Sequence, residues 1–237
     1  MRNIGDNWPE GNGIFETIRV EDKQIFALHR HHCRAKESAQ QMGFDIPAED
    51  IVKKKSYEII ESHDYQLARI RWHFSPDSEF SISYVPYSDP VQPAKLIIFE
   101  QLSDNYEIRK KTYPYTNLDI LNQAKAKGYD DAIIVTEDGQ VAETSVATLL
   151  LKIENEWVTP PLSSGILNGV VRALVLEAGL AKVKRVDLND LNVVQSALLL
   201  TSLRNAQHVS EISGRSLQLD NEMCARIHQL MNSFKGL

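Results

Sequence analysis

The N-terminal part of the chain alternates between strand-like and helix-like hydrophobic patterns. Apolar side chains recur at every second position where strands are expected and at a spacing of three to four where helices are expected. Gly43 ends the first helical pattern as a C-terminal cap does, and Pro47 precedes the second. The predicted elements are a hairpin of strands at 13–20 and 25–28, helices at 29–42 and 48–62, and strands at 67–74 and 80–85.

A proline-rich stretch separates this part from the remainder. Pro86, Pro90 and Pro93 fall close together, which is typical of a connector between domains. Strands and helices are interspersed beyond it, so the fold class is α/β. The predicted elements are strands at 95–99, 131–136 and 146–152, a hairpin turn at 138–139, and helices at 117–127 and 170–178. We therefore predict two domains, residues 1–88 and 89–237.

Composition narrows the function classes. The chain has 237 residues and a net charge of -6, which argues against nucleic acid as the main partner but allows a local basic pocket. No apolar run is long enough to cross a bilayer, so no membrane partner is expected. The N-terminus has no apolar leader, and Cys33 and Cys224 are too few for a disulfide framework. These features predict a cytoplasmic protein.

Two neighbouring segments carry the candidate chemistry. The first, 141–148, reads Val-Ala-Glu-Thr-Ser-Val-Ala-Thr and contains Glu143; the second, 159–172, reads Thr-Pro-Pro-Leu-Ser-Ser-Gly-Ile-Leu-Asn-Gly-Val-Val-Arg. The second segment precedes a predicted helix, so the backbone amides of Val170 and Val171 can point at an anion with the helix dipole behind them. Together the segments resemble the cofactor-binding signature of the class IV (fold-type IV) pyridoxal-phosphate enzymes.

This resemblance implies a fold and a cofactor. The fold is a two-domain α/β (α+β) fold of type IV, with a small N-terminal α/β domain and a larger C-terminal domain that contains a pseudo-barrel sheet. The cofactor is pyridoxal 5'-phosphate, which in this family lies in the cleft between the domains. The resemblance extends from about Gly13 to Gly214, and the family's motifs occur in the family's order.

The resemblance also assigns the residues that hold the cofactor ring. The predicted boundary places Lys111 in the C-terminal domain. Lys111 is followed by Thr-Tyr, and the family's Schiff-base lysine is similarly followed by Thr or Ser and a bulky residue. The adjacent Lys110 is the alternative candidate. Glu143 would keep the pyridine nitrogen protonated, which makes the ring an electron sink. Ser145 would donate to the cofactor or the substrate. Thr144 and Thr148 stand where the family usually has Gly and Asn.

Phosphate binding is assigned by further matches. The amides of Val170 and Val171 would contact the phosphate, although Val171 stands where the family often has Thr. His31 and Arg34 match the family's His-x-x-Arg helix start, so Arg34 would bind the phosphate through a charge-assisted contact. Ser202 matches a hydroxyl that contacts the phosphate, with Thr201 as its neighbour and an ordinary strand end as the alternative interpretation. The three histidines at 29, 31 and 32 lack the spacing of metal ligands, so no metal is expected.

Substrate binding is expected at two strands. Alternation places Arg69, Arg71 and His73 on one face of the 67–74 strand. Arg71 matches an arginine that faces the family's active site and suits a substrate carboxylate, while a solvated strand face is the alternative. Phe15 stands where D-amino-acid aminotransferases carry Tyr. Thr17 occupies a position at which the lyases of the family have Thr and branched-chain aminotransferases usually have Gly, which makes Thr17 a candidate catalytic residue.

Three functions stay open from the sequence. The first is 4-amino-4-deoxychorismate lyase, a folate-pathway enzyme that releases pyruvate and 4-aminobenzoate; the short lead-in at residues 7–13 favours this branch. The second is a branched-chain or D-amino-acid aminotransferase, and the third is a non-catalytic member of the fold. The substrate in either enzyme is a small amino-acid-like molecule. The family resemblance implies a homodimer.

Overall fold

The computed structural model describes residues 12–77, 80–100, 111–113 and 117–237. These residues divide into two compact units. The first unit contains the described residues of Met1–Asp89, Lys110–Thr116 and Asn232–Leu237, and the second those of Pro90–Arg109 and Asn117–Met231. Lys110 and most of the lead-in at 7–13 lie outside the described residues. Within the described part, no helix is both long enough and apolar enough to cross a membrane.

The helices and strands follow the predicted order closely. Two additional short 3₁₀ helices occur at Leu162–Ser164 and Leu188–Asn192. In chain order, the elements are β1 (Gly13–Glu21), β2 (Gln24–Ile25), α1 (Leu28–Gln41), α2 (Glu49–Glu61), β3 (Leu67–Phe74), β4 (Phe80–Pro86), β5 (Ala94–Glu100), β6 (Thr112–Tyr113), α3 (Leu118–Ala126), β7 (Asp131–Val135), β8 (Val141–Thr144), β9 (Thr148–Ile153), β10 (Glu156–Thr159), α4 (Val170–Glu177), β11 (Lys182–Val183), β12 (Ser196–Thr201), β13 (Asn205–Ile212), β14 (Arg215–Ser216) and α5 (Asn221–Asn232).

An antiparallel sheet covered by α1 and α2 forms the first unit. Among the described residues, the strands are ordered β2-β1-β3-β4, and β6 pairs with the start of β1. Alternate side chains of β1 and β3 face the helices and form an apolar core with them. Trp72 lies in this core, and its indole N–H donates to Ser56 Oγ of α2 at 2.9 Å. The other face of β1 and β3 therefore carries Phe15, Thr17 and Arg71, whose neighbours along the strands face the core.

A larger mixed sheet forms the second unit. In the described part, its strands are ordered β11-β10-β9-β12-β13-β5-β7-β8, and β14 pairs with β13. Both faces of β7 are buried: Ile133 and Val135 contribute to the main core, while Ala132 and Ile134 pack with α3. A strand buried on both faces reads as an unbroken apolar run, which is why its sequence is so hydrophobic.

The segment at 141–148 is two strands joined by a tight turn, whereas a single strand at 146–152 was predicted there. Thr144 closes the turn, since its backbone N–H donates to Ala147 O at 2.9 Å and its Oγ1 accepts from Ala147 N at 3.0 Å. The Oγ1 of Thr144 is also 3.0 Å from Ala147 O. Thr144 thus has a structural task at the position where the family usually has Gly.

Lys111 belongs to the first unit, whereas the sequence interpretation placed it in the C-terminal domain. The backbone N–H of Phe15 donates to Lys111 O at 2.8 Å, and β6 follows directly and pairs with β1. The chain therefore returns to the first sheet after β5. Because this return comes from pairing between residues far apart in sequence, a boundary drawn at a proline-rich stretch could not include it.

Candidate active site

Glu143 joins the two motif segments of the second unit. It is buried at 6% exposure in β8, and its Oε2 accepts a hydrogen bond from Leu167 N at 3.1 Å. A carboxylate can accept several hydrogen bonds, so Glu143 can accept one from a ligand N–H as well as from this amide. The contact brings the glutamate of the 141–148 segment to the loop that leads into α4.

Gly169 brings the same two segments into close approach. A Cβ built on Gly169 would lie 3.0 Å from Thr148 Oγ1, so the glycine is needed for space. Its φ of -67° is open to any residue, and conformational freedom is therefore not the reason for it. Gly169 caps α4, and the first amides of a helix have no acceptor within the helix. The amides of Val170 and Val171 thus form a cradle that fits a phosphate.

Strand pairing brings a hydroxyl toward the same region of the second unit. Thr148 pairs with Leu200, and α4 contacts β12, which ends at Thr201. Ser202 follows directly in the turn after β12 and is partly exposed. Thr201 Oγ1 accepts from Arg204 N at 3.0 Å and so closes this turn. Ser202 is therefore the better placed of the two hydroxyls for a ligand.

Ser145 has a different partner from the one expected. Its Oγ donates to Asp131 Oδ1, and its backbone N–H donates to the same oxygen at 3.1 Å. Asp131 is almost fully buried, and burial raises the pKa of its carboxyl group despite these hydrogen bonds. Asp131 thus holds the turn that follows Glu143. Asp131 was not identified from the sequence as a residue of the site.

Phe15 lies at the centre of the candidate substrate residues of the first unit. Lys111 Nζ is 5.0 Å from the centroid of the Phe15 ring, and Arg71 Cζ is 5.7 Å from it. Both distances are within the range of cation–π attraction. Arg71 is only 3% exposed, so the alternative of a solvated strand face is wrong for this residue. A buried guanidinium suits a carboxylate ligand.

Thr17 contacts Arg71 directly. The two residues are paired across β1 and β3, and Arg71 Nε donates to Thr17 Oγ1 at 3.1 Å. Because the hydroxyl oxygen accepts this bond, the hydroxyl proton of Thr17 points elsewhere and can be donated. Thr17 thus contacts Arg71, and Phe15 lies close to both Arg71 and Lys111.

Arg34 lies in a buried charged cluster with Glu16 and His31. Arg34 Nε donates to Glu16 Oε1 at 2.8 Å and Arg34 Nη2 to Glu16 Oε2 at 2.5 Å. His31 Nδ1 is 2.7 Å from Glu16 Oε2. Burial alone would raise the pKa of Glu16, but the Arg34 charge and the His31 hydrogen bond outweigh it and hold the pKa at about 2. Glu16 is a second residue that the sequence interpretation missed.

Two histidines of the first unit, His31 and His73, have lowered pKa values. Burial lowers the pKa of His31 and outweighs its contacts with Glu16. Burial, Arg71 and Arg69 lower the pKa of His73 to about 4. His29 and His32 contact other partners, Glu49 at 2.7 Å and Pro47 O at 2.9 Å. Among the described residues, no three side chains of metal-binding type form a group that could hold an ion.

Comparison with known proteins identifies related sequences. The family model described as amino-transferase class IV matches residues 13–212. A Schizosaccharomyces pombe protein named "Putative aminodeoxychorismate lyase" is 28% identical over 177 residues, which cover 72% of this chain and 75% of that protein. The chain spans 62% to 64% of the length of bacterial relatives and 45% to 46% of plant relatives in the same comparison.

Solved structures share the fold. The chain aligns with the crystal structure of a "Putative 4-amino-4-deoxychorismate lyase" from Legionella pneumophila at a TM-score of 0.83 and 23% identity, covering 93% of this chain and 90% of that one. It aligns with the branched-chain amino acid aminotransferase of Escherichia coli at 0.81 and 19%, covering 96% and 86%. The mixed helix and strand content with a curled half-barrel sheet matches fold type IV, which confirms the predicted fold class.

Proposed function

The chain belongs to the class IV aminotransferase family, and on that premise we propose that it is a 4-amino-4-deoxychorismate lyase. Enzymes of this family depend on pyridoxal phosphate. When bound, the cofactor withdraws electrons from the substrate carbon that carries the amine and so makes the proton on that carbon acidic. The remaining chemistry, which is to bind, orient and move protons, is assigned to this chain's own residues.

The cofactor-binding roles follow from the donors and acceptors described above. In the second unit, Val170 and Val171 would hold the phosphate with their amides, with the Ser202 hydroxyl as a further donor. In the first unit, Arg34 would offer a charge-assisted contact to phosphate. The Glu143 carboxylate would accept a hydrogen bond from the protonated ring nitrogen, and its negative charge would keep that nitrogen protonated. Ser145 would contribute indirectly, because its hydrogen bond to Asp131 fixes the turn after Glu143.

Lys111 has two roles in this proposal. Its Nζ would hold the cofactor, and the same Nζ would take the acidic proton from the substrate carbon. Arg71 binds a carboxylate of the substrate, and the Phe15 ring lies beneath both cations. A substrate that is an unsaturated ring with carboxylate groups matches this combination of aromatic and cationic side chains.

The Thr17 hydroxyl is the observation that carries the lyase assignment. Once the proton on the amine-bearing carbon has been removed, the bond between the neighbouring ring carbon and the ether oxygen breaks, and pyruvate leaves in its enol form. The methylene carbon of that enol must then take up a proton to give pyruvate. Arg71 Nε binds Thr17 Oγ1 at 3.1 Å and leaves the hydroxyl proton available for that transfer. An aminotransferase has no leaving group to protonate, so it needs no hydroxyl at this place.

An aminotransferase acting on branched-chain or D-amino acids is the second candidate. Phe15 and the buried Arg71 favour it to some degree, since they suit an apolar side chain and a carboxylate equally well. Such an enzyme uses the same lysine and glutamate. A non-catalytic member of the fold is the third candidate, and it would have no use for a lysine held beside Phe15.

Product analysis tests these candidates. Purified protein with pyridoxal phosphate is incubated with 4-amino-4-deoxychorismate, and 4-aminobenzoate is followed by chromatography and pyruvate by a coupled dehydrogenase. Parallel samples contain amino-acid and keto-acid pairs. Equal amounts of the two lyase products without transamination support the proposal, and the reverse pattern replaces the lyase with an aminotransferase. Failure to bind the cofactor supports the non-catalytic candidate.

Thr17 is tested separately from the fold. Thr17→Val keeps the shape but removes the hydroxyl, and we expect lyase turnover to fall by about a hundredfold, the usual contribution of a proton donor. Ser83→Ala is the matched control, because Ser83 pairs with Arg71 on its other side. Lys111→Ala should abolish both turnover and the visible absorbance of the bound cofactor.

Assembly and location complete the proposal. A homodimer is proposed from family membership, and light scattering on the purified protein tests it. A cytoplasmic location in the folate pathway is proposed from the lyase assignment. Loss of the gene should then be compensated by supplying 4-aminobenzoate, whereas growth that is unaffected by the gene or the supplement would contradict it.

A further inference from the structure

Glu16 is a charged residue on an apolar face. It lies in β1 between Ile14 and Ile18, both of which belong to the core against the helices, and its own exposure is 0%. Burying a carboxylate costs several kcal/mol unless it is paired and fully hydrogen-bonded. An apolar residue here would continue the core without that cost, so stability alone does not account for Glu16.

The contacts of Glu16 restrain Arg34. Its two oxygens bind Nε and Nη2, one oxygen each, so the plane of the guanidinium group is fixed relative to the sheet. His31 binds one of the same oxygens, and its side chain is only 1% exposed. Since an ionised carboxylate only accepts hydrogen bonds, His31 Nδ1 carries the proton. The carboxylate is therefore restrained from two sides.

We infer that Glu16 is a positioning residue that holds Arg34 in the orientation in which Arg34 binds the cofactor phosphate. The inference rests on the proposed function, since that assigns Arg34 to the phosphate. Fixing a long side chain in advance removes the loss of conformational freedom that would otherwise oppose binding. The carboxylate binds the Nε and Nη2 edge of the planar guanidinium, which fixes the direction in which the whole group faces.

The charge balance of the cluster supports this role. Glu16 carries one negative charge and Arg34 one positive charge, and the neutral His31 adds none. The cluster is thus neutral overall, and Arg34 stays buried without an unbalanced charge. His31 contributes a hydrogen bond to Glu16 and no additional attraction for an anion.

A comparison of two ligands separates positioning from general stability. Dissociation constants of pyridoxal phosphate and of pyridoxal, which lacks the phosphate, are measured on the cofactor-depleted protein by absorbance and tryptophan fluorescence. The dissociation constant of pyridoxal divided by that of pyridoxal phosphate gives the preference for pyridoxal phosphate, and this ratio reports the contribution of the phosphate group. In Glu16→Gln we expect the preference for pyridoxal phosphate to fall about tenfold, as for the loss of one charge-assisted contact. Pyridoxal binding should be nearly unchanged.

Three further variants decide the outcome. Asp89→Asn is the matched control, because it removes a carboxylate that binds Arg19 of the same sheet at 2.9 Å, and its ratio should stay at the wild-type value. Glu16→Asp keeps the charge but shortens the side chain, and replaces Glu16→Gln if that variant does not fold. Arg34→Gln tests the premise that Arg34 binds the phosphate, and we expect it to lower the ratio at least tenfold.

The outcomes separate the inference from its premise. If Arg34→Gln lowers the ratio while both Glu16 variants keep it, Glu16 is a structural residue and the inference is wrong. If Arg34→Gln keeps the ratio, the assignment of Arg34 to the phosphate fails, and the role of Glu16 falls with it. Equal losses for both ligands in the Glu16 variants also contradict positioning.

Discussion

The charged cluster of Glu16, His31 and Arg34 in the first unit and the amide cradle of Gly169, Val170 and Val171 in the second are both proposed anion-binding groups, but they are built on opposite principles. The cluster depends on side-chain charges that are buried and paired. The cradle depends on main-chain amides at a helix start, with a glycine that provides space. A main-chain site tolerates many side chains, which explains how Val171 can replace the family's usual Thr. The cluster has no such tolerance.

Removing the charge of Glu143 should produce the largest effect. In Glu143→Gln, the amide oxygen can still accept from Leu167 N, so the loop before α4 keeps its contact. The ring nitrogen loses its negative partner, and we expect kcat to fall about a thousandfold, equivalent to about 4 kcal/mol. Steady-state turnover at saturating cofactor measures it, with thermal melting as the control for folding. Turnover within threefold of wild type would contradict the role of Glu143.

Acid should destabilise the charged cluster. The pKa of Glu16 is held at about 2 in the folded protein, against an ordinary value of 4.5 for a glutamate. Because folding depresses this pKa, its contribution of about 3 kcal/mol is present above pH 4.5 and is lost as the pH falls toward 2. His31 and His73 also have lowered pKa values, so stability already declines as the pH falls below 6.5.

Urea titrations between pH 7 and 2 measure this loss. The difference in unfolding free energy between wild type and Glu16→Gln should be greatest at neutral pH and shrink below pH 4.5. Asp89→Asn is the comparison, because Asp89 also binds an arginine but is more exposed. Its difference in unfolding free energy from wild type should be smaller than that of Glu16→Gln at every pH. A difference between wild type and Glu16→Gln that is constant with pH would show that Glu16 is not ionised in the fold.

A larger side chain at Gly169 should disturb the backbone amides of the cradle. Gly169→Ala places a Cβ 3.0 Å from Thr148 Oγ1, so either the Thr148 side chain or the helix start must move by a few tenths of an ångström. We expect affinity for pyridoxal phosphate to fall about tenfold, or about 1.4 kcal/mol. Adding Thr148→Ala removes the clashing oxygen and should restore most of the loss, with Thr148→Ala alone as the control. Failure of this double variant to recover would mean that the glycine is needed for another reason.

The sequence predicts the cradle better than the cluster, and the reason is physical. Helix starts and tight backbone approaches are encoded locally, so Gly169, Val170 and Glu143 could be recognised from one short stretch of chain. Glu16 and His31 are far apart in sequence, and only the packing of α1 on β1 shows that they meet. The available signal was a glutamate at a position of β1 that alternates with the apolar Ile14 and Ile18, but motif matching does not take this pattern into account.

Long-range pairing limits the prediction elsewhere too. Alternation placed Arg69, Arg71 and His73 on one face of β3, but whether that face is buried depends on the groups that pack against it, which the sequence of the strand alone does not show. The assignment of Lys111 to the C-terminal domain failed for the same reason. The predicted boundary between residues 88 and 89 stays a proposal.

Substitution of Ser202 should produce the smallest effect. Comparing it with substitution of Thr201 separates a hydroxyl that contacts the ligand from one that stabilises a turn. Ser202→Ala removes one neutral hydroxyl, so affinity for pyridoxal phosphate should fall about threefold to tenfold without a change in stability. Thr201→Ala removes the acceptor of Arg204 N and should lower the unfolding free energy by about 1 kcal/mol while keeping the preference over pyridoxal. Binding titrations and thermal melts on both variants measure this. The opposite pattern would assign the phosphate contact to Thr201, because the two hydroxyls are adjacent and only their hydrogen-bond partners distinguish them.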